Sequence, residues 1–210
     1  MKSIAITFLF VTAAYCSWAQ PARVPIKEAP PTTNTKPNNP PTTNTKTNTT
    51  GGGTGSGNEL IKYSDPLGRF TISYPGSWIL NDKSESSILQ LTSPKENDDD
   101  DFRQNLNLQI EDMSGKSTSL DEYVRTNMEG VKDLVKGYTE VSSMFFNRNG
   151  IRAYEVVYKG RYGSMEYDIQ VRQLFSIANN KAYVLTYISK ADERDALETT
   201  ANRIFNTFKF

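Results

Sequence analysis

The densest group of side chains with ligand chemistry is a run of four aspartates, Asp98, Asp99, Asp100 and Asp101, preceded by Glu96 and Asn97. Calcium takes about six to eight oxygen ligands, so a loop this rich in oxygen is a candidate calcium site. Consecutive aspartates diverge and repel each other, however, and the glycine-containing spacing of an EF-hand loop does not follow. The run is predicted to be a solvated loop between strands, with weak calcium binding as the alternative, and no metal site is assigned.

Three other carboxylates, Glu155, Glu166 and Asp168, are candidates for hydrolytic chemistry, because glycosidases use a pair of carboxyl groups. They fall on the polar sides of predicted strands, where carboxylates are normally solvated. Ser189 and Lys190 could form a serine–lysine pair, but Ser189 is also a good N-cap for a helix that follows it. No catalytic residue is assigned.

Tyrosines are the third candidate group. A shared face of neighbouring strands could carry four of them, with two more nearby: Tyr154, Tyr158, Tyr183 and Tyr187, then Tyr162 and Tyr167. A concave tyrosine surface suits a glycan or a peptide, because tyrosine offers both apolar area and a hydroxyl group. The structural interpretation is a core beneath a helix with hydroxyl groups at its rim.

The chain contains no histidine, and its one cysteine, Cys16, lies near the N-terminus. Without these residues elsewhere, the sequence excludes disulfides, cysteine nucleophiles, Ser-His-Asp triads and metal sites built on imidazole or thiolate. Its 24 basic and 24 acidic residues cancel, so no basic excess is available to hold a phosphate backbone. We therefore expect no enzymatic activity, no cofactor and no nucleic-acid partner.

Residues 1–19 have the pattern of a cleaved secretory signal peptide. Lys2 is followed by an apolar run over 4–15, and small residues stand at −3 and −1 relative to cleavage after Ala19. The run is shorter than the about 20 residues of a membrane span. The protein is therefore expected to be secreted or periplasmic. Lipidation at Cys16 is the alternative, although the residues before it differ from the usual leucine and small residue.

Residues 20–58 are predicted to form a disordered linker. The segment is rich in Pro, Thr, Asn and Gly, and PPTTNTK occurs at 30–36 and again at 40–46. With so few apolar residues it cannot bury enough surface to offset the entropy of ordering. A glycosylated stalk is the alternative, because tracts rich in Thr and Pro often carry O-glycans.

Residues 59–210 are predicted to form one domain with two amphipathic helices. The first covers 119–137, where Ser119 and Glu122 make a capping box and Gly137 is the expected residue after the helix. The second begins near Ser189 and runs towards the C-terminus. Its apolar stripe consists of Leu197, Ala201, Ile204, Phe205 and Phe208.

The rest of this domain has strand periodicity. Apolar residues alternate with polar ones in 105–111 and 165–177. Asn149-Gly150 and Asn179-Asn180 predict tight hairpin turns. Because 151–158 and 181–189 are apolar on both sides, both faces of the sheet must be covered. The sequence thus predicts an α+β fold, with a mostly antiparallel β-sheet covered by helices.

The stretch FTISYPGSW, 70–78, predicts a strand and then a corner. Pro75 and Gly76 suit the two central positions of a type II turn that starts at Tyr74. Such a turn would fold Trp78 back onto the core. A binding site built on the Tyr-Pro-x-x-Trp pattern is the alternative.

These segments resemble a known family when they are taken in order. A short strand at 62–63 precedes DPLGRFTISYPGSW, a helix opened by SLDEYV, NGIRAYEVVYKG, a strand ending in NNKAYVLTYIS and an amphipathic helix. The succession resembles the PsbP-like proteins and covers essentially the whole of 59–210. The resemblance implies an α/β/α sandwich and a small extracytoplasmic accessory role. Metal sites in plant members are linked to histidine, which this chain lacks, so none is carried over.

The leading functional hypothesis is a non-enzymatic accessory or protein-binding module. It would use a sheet edge or an inter-helix cleft to dock an envelope or extracellular protein. The alternative is a small-ligand or glycan-binding domain that uses the tyrosine-rich surface. A carboxylate hydrolase is the third hypothesis.

Limited proteolysis tests the proposed linker. We expect a protease to remove residues 20–58 while the melting temperature of the remaining domain stays nearly unchanged, because a disordered segment contributes no buried surface. Calorimetry before and after digestion measures this. A large fall in the melting temperature would mean that the segment packs on the domain.

Overall fold

A computed structural model describes residues 59–82, 87–98, 100, 102–191 and 198–210. The predicted signal peptide 1–19, Cys16 and the predicted linker 20–58 lie outside these ranges. The same holds for Asp99, Asp101 and Leu197.

The described residues form nine strands and two helices. Their bounds are β1 (Leu60–Ser64), β2 (Thr71–Pro75), β3 (Ile79–Asn81), β4 (Leu89–Thr92), β5 (Asn105–Asp112), α1 (Leu120–Leu134), β6 (Val135–Arg148), β7 (Ile151–Tyr162), β8 (Ile169–Ala178), β9 (Lys181–Lys190) and α2 (Glu198–Thr207). β1 and β2 form a hairpin of their own. The other seven strands make one sheet in the order β3-β4-β5-β9-β8-β7-β6. Every pair within it is antiparallel.

Two tight hairpins place β6, β7, β8 and β9. Asn149 and Gly150 have φ values of 50° and 82°, and Asn179 and Asn180 have φ values of 51° and 57°. Two consecutive residues with positive φ are the requirement of a type I′ turn, whose twist matches that of the flanking strands. Both turn predictions are confirmed.

The seven-stranded sheet is covered on both faces, as the sequence predicts. α1 lies on one face and packs against β6, β7 and β8. α2 and the β1–β2 hairpin lie on the other, where Phe70, Ile72 and Phe205 belong to one buried cluster. Eight of the ten residues of β9 are buried. The architecture is a mostly antiparallel α+β sandwich, and the predicted fold class is confirmed.

α1 begins as predicted but ends early. The Ser119 hydroxyl oxygen accepts a hydrogen bond from the Glu122 backbone N–H at 3.2 Å. Gly137 was expected to follow the helix, and this is wrong, because Val135 already has extended geometry and starts β6. Val135 is only 4% exposed within the cluster beneath α1, and its burial in the sheet overrides the local helix signal. Gly137 instead lies inside β6 with φ +68°.

The second helix was predicted to begin near Ser189, and this is also wrong. Ser189 pairs with Gln170 in the sheet and is 1% exposed. Consecutive strand residues point to opposite faces, so Ser189 and Lys190 form neither an N-cap nor a catalytic pair. The apolar stripe of α2 is confirmed at Ala201, Ile204 and Phe205, all of which are buried.

The FTISYPGSW stretch forms a corner, with its turn one residue later than predicted. The Trp78 backbone N–H donates to the Pro75 carbonyl oxygen at 2.9 Å, so the turn runs from Pro75 to Trp78. Gly76 does not have the positive φ that a type II turn centred on it would require. Trp78 is 3% exposed and packs in the same cluster as Phe70. The structural interpretation of the Tyr-Pro-x-x-Trp pattern is confirmed.

The turn between β1 and β2 contains the most buried ion pair of the described residues. Asp65 accepts hydrogen bonds from Arg69 Nε and from an Arg69 terminal nitrogen, each at 2.7 Å, and from the Arg69 backbone N–H at 3.1 Å. The Arg69 side-chain hydrogen bonds hold the pKa of Asp65 below its ordinary value of 3.8. The Tyr183 hydroxyl donates to the Arg69 carbonyl oxygen at 3.1 Å. Through this contact the turn is tied to β9.

Replacing Trp78 tests the corner. We expect Trp78→Ala to lower the free energy of unfolding by about 3–5 kcal/mol, because it removes a buried aromatic ring and leaves a cavity. Ile79→Ala is the matched control. Ile79 is 55% exposed, so its loss should be less than about 1 kcal/mol. Urea unfolding followed by circular dichroism gives both values, and equal losses would place Trp78 at the surface.

Replacing Asp65 tests the ion pair through pH. A carboxyl group with a lowered folded-state pKa stabilises the fold fully above its unfolded-state pKa and loses that contribution as the pH falls through the folded-state value. Asp65→Asn should therefore destabilise the domain at pH 7, and the difference from wild type should narrow below about pH 4. Asp121→Asn, which removes an exposed partner of Arg152, should cost less. A difference that is independent of pH would contradict this role of Asp65.

Candidate functional site

The four tyrosines expected on one face lie on opposite faces of the sheet. Tyr154 and Tyr158 face α1, whereas Tyr183 and Tyr187 belong to the cluster beneath α2. The hypothesis of a tyrosine-rich binding surface is therefore wrong. Tyr158, Tyr183 and Tyr187 are at most 4% exposed, and the hydroxyl groups of Tyr158 and Tyr162 hydrogen-bond at 2.8 Å. Burial raises the pKa of Tyr162, so its hydroxyl group stays neutral in the core.

The carboxylates proposed for hydrolysis are separated, and two have arginine partners. Glu155 contacts Arg172 at 2.8 Å, and Asp168 contacts Arg161 at 2.9 Å. These two ion pairs sit six residues apart along β7, which corresponds to roughly 20 Å. Catalytic carboxyl groups in glycosidases lie about 5–10 Å apart. Glu155 and Asp168 are therefore too far apart to form a catalytic pair, and Glu166 is exposed.

The described part of the acidic run closes a loop. Asp100 accepts hydrogen bonds through its two carboxylate oxygens from the backbone N–H groups of Glu96 and Phe102, each at 3.0 Å. Asp98 is exposed. Within the ranges that the structure describes, no group of three or more acidic residues could hold a metal ion. Both oxygens of Asp100 are thus engaged by the chain itself.

The feature that stands out is one edge of the large sheet. β3, at one end of the sheet, has three residues, whereas β6, at the other end, has 14. All residues from 139 to 145 are exposed. Val141, Met144 and Phe145 are 54%, 58% and 41% exposed. A long exposed edge presents unpaired N–H and C=O groups to any extended chain, and native proteins normally protect it.

The first half of β6 carries such protection. Its pairing with β7 shifts register between Lys136 and Thr139 and again between Glu140 and Ser142. The first irregularity is built on Gly160 of β7, because a Cβ there would lie 2.3 Å from Val135 Cγ1. Bulges twist an edge, and charged residues such as Lys136 and Glu140 discourage its pairing with another strand.

The second half of β6 has neither register shifts nor, before Arg148, charged residues. Residues 142–147, here called the edge segment, pair with β7 in continuous register and have the uncharged sequence SSMFFN. The next residue, Arg148, donates from its guanidinium to the Phe205 carbonyl oxygen of α2. That contact directs its charge towards the domain, so the edge segment itself remains neutral, regular and open.

The hairpin turn determines which backbone groups of the edge segment point outward. In a two-residue hairpin, the residues that flank the turn, here Arg148 and Ile151, form a hydrogen-bonded pair. Hydrogen-bonded and non-hydrogen-bonded pairs alternate along an antiparallel ladder. The N–H and C=O groups of Ser143, Phe145 and Asn147 are therefore directed away from β7.

Two apolar side chains of the edge segment lie on opposite faces, and one of them, Phe145, is held in position. Phe145 packs on Tyr154 with ring centroids 4.6 Å apart, and the Arg152 guanidinium lies 4.3 Å from its ring centre. Arg152 in turn pairs with Asp121 of α1. Met144 lies on the other face, opposite Glu155. Only the strand order reveals that β6 is the outermost strand at this end of the sheet.

Comparison with known proteins identifies the family. The sequence pattern of the PsbP-like proteins matches residues 34–210, and the chain belongs to this family. None of the curated proteins compared with the chain matches it. The predicted resemblance is thereby confirmed.

Solved structures support the same fold. The cyanobacterial PsbP protein CyanoP from Synechocystis is 18% identical, with a TM-score of 0.54 over 77% of this chain and 98% of that one. LpqN from Mycobacterium tuberculosis, described as involved in cell envelope biogenesis, is 17% identical, with a TM-score of 0.51 over 72% and 91%. A Pseudomonas aeruginosa protein of unknown function is 14% identical, with a TM-score of 0.50 over 70% and 94%. Identities this low establish fold alone.

The helices were also compared with the length and hydropathy of membrane spans. Among the residues that the structure describes, neither α1 nor α2 is long and apolar enough to cross a membrane.

Proposed function

We propose that the chain is a non-enzymatic accessory module that binds protein by strand addition at the edge segment of β6. The observation that carries this proposal is the combination of a regular open edge with exposed Met144 and Phe145. In strand addition, main-chain hydrogen bonds supply affinity, and alternate side chains supply specificity. The edge segment has both components within six residues.

The physical state of this edge favours binding. One of its exposed apolar side chains is already positioned, because Phe145 is held by Tyr154 and Arg152. Little conformational entropy is therefore lost when a partner strand arrives. Water leaves Met144 and Phe145 at the same time, and this burial is favourable in proportion to the apolar area covered.

The proposed location is the cell envelope or the extracellular space. The signal pattern in residues 1–19 supports export, and the composition of residues 20–58 is typical of a disordered segment that precedes the domain. LpqN, a protein of similar fold, is described as involved in cell envelope biogenesis. An accessory role at the envelope is consistent with both.

The alternative functions lack an assembled site among the described residues. A glycan-binding surface needs the four strand tyrosines on one face, and they are divided between two. Hydrolysis needs two facing carboxyl groups, and Glu155 and Asp168 each pair with an arginine instead. These positions favour the binding role over the other two.

Photo-crosslinking tests the proposed function. A photoreactive phenylalanine analogue placed at Phe145 should give a discrete protein adduct in the native envelope fraction, because a bound strand would cover that ring. The same analogue at Leu67, which is 76% exposed in the β1–β2 turn, is the control position. Met144→Lys should abolish the Phe145 adduct, since a lysine on an edge disfavours pairing.

A matched substitution controls for charge. Val141→Lys adds the same charge at a similarly exposed position of β6, but outside the edge segment, and should leave the adduct intact. If Phe145 gives no more adduct than Leu67, or if the adduct survives Met144→Lys, strand addition at this edge is refuted.

A further inference from the structure

The polarity of the edge segment is palindromic about Phe145. Met144 and Phe146 flank Phe145 as apolar neighbours, and Ser143 and Asn147 flank those as polar ones. A two-fold interface brings the same surface of both subunits together, so it requires such self-complementarity. A strand recognised by a different protein has no need of it.

We propose that the strand that adds to the edge segment is the edge segment of a second copy of this chain. This inference rests on the proposed function and names its partner. The two strands run antiparallel around a two-fold axis through Phe145, and the two seven-stranded sheets become one continuous sheet.

This register matches side chains on both faces. Phe145 lies opposite Phe145 of the second copy, on the side of the sheet that carries α1. Met144 lies opposite Phe146 of the second copy, on the side that carries α2. Ser143 and Asn147 lie opposite each other, and the Ser143 hydroxyl oxygen, whose hydrogen is donated to Glu140 at 2.6 Å, can accept a hydrogen bond from the Asn147 amide. Cross-strand pairs of like polarity are the stabilising unit of a sheet.

The same register satisfies the backbone. The outward N–H and C=O groups belong to Ser143, Phe145 and Asn147, and pairing around Phe145 places these residues opposite one another. Each of the three residue pairs exchanges two hydrogen bonds, about six in all. Centring the axis on Met144 would instead place Ser143 opposite Phe145 and Ser142 opposite Phe146, and polar groups would then meet aromatic rings.

Charge also permits self-association. The edge segment has no charged side chain, and without Lys2 of the predicted signal peptide the chain has 23 basic and 24 acidic residues, so long-range repulsion between two copies is small.

Cysteine cross-linking tests both the partner and the register. The chain from residue 20 onward contains no cysteine, so single-cysteine variants report one contact each. Phe145→Cys should form a disulfide-linked dimer on mild oxidation, because directly opposite hydrogen-bonded residues have Cα atoms about 5.5 Å apart, within disulfide range. Met144→Cys and Phe146→Cys should cross-link far less, because neither residue lies opposite itself.

Sedimentation measures the dimer without cross-linking. Wild type should shift from monomer to dimer with increasing concentration. Ser143→Pro removes one outward N–H from each copy and should raise the dimer Kd by about tenfold or more. Val141→Lys should leave the Kd within about threefold, and unfolding curves of all variants confirm that the domain remains folded.

The outcomes separate this inference from the proposed function. A wild-type chain that stays monomeric at all concentrations, or efficient cross-linking through Met144→Cys but not Phe145→Cys, overturns the two-fold pairing around Phe145. If the photo-adduct at Phe145 then contains a different protein, strand addition at this edge is supported, and a second copy of the chain as the partner is refuted. If the photo-adduct is itself a dimer of this chain, both are supported.

Discussion

Strand β9 is buried on both faces, and most of the domain follows from covering it. It pairs with β5 on one side and β8 on the other. Val184 and Ile188 lie in the cluster beneath α1, and Tyr183, Leu185 and Tyr187 lie in the cluster beneath α2. A strand without a polar face needs a layer on each side. The two helices and the β1–β2 hairpin supply those layers, and Tyr183 joins the hairpin turn to β9 through Arg69.

Covering both faces restricts where binding can occur. Helices and hairpin occupy the broad surfaces of the sheet, so its unpaired backbone groups are found at the two edges. β3 is too short to accept much of a strand, and the first half of β6 is distorted by two register shifts. The edge segment keeps regular geometry and exposed apolar side chains. This contrast within one strand is why we propose that binding occurs at residues 142–147 rather than on a face.

Arginine has a consistent role around this framework. Arg69, Arg161 and Arg172 each pair with a carboxylate near the sheet, and Arg148 caps the last turn of α2 through a carbonyl oxygen. A cation at a helix C-terminus interacts favourably with the helix dipole. Glu155 and Asp168, which resemble catalytic carboxylates in the sequence, therefore have structural partners in the fold.

Local signals by themselves determined the hairpins, the capped start of α1, the apolar stripes and the need for cover on both faces. Each depends on residues within about one helical turn or one hairpin of each other. The sequence could not predict where α1 ends or where α2 begins. Burial of Val135 in the sheet outweighs the capping preference of Gly137, and burial of Ser189 in the sheet outweighs its own capping preference. Nor could it divide the tyrosines between faces, since this depends on which strands pair and in which register. Strand order, set by contacts between residues far apart in sequence, is what placed β6 at the rim and left its edge segment open.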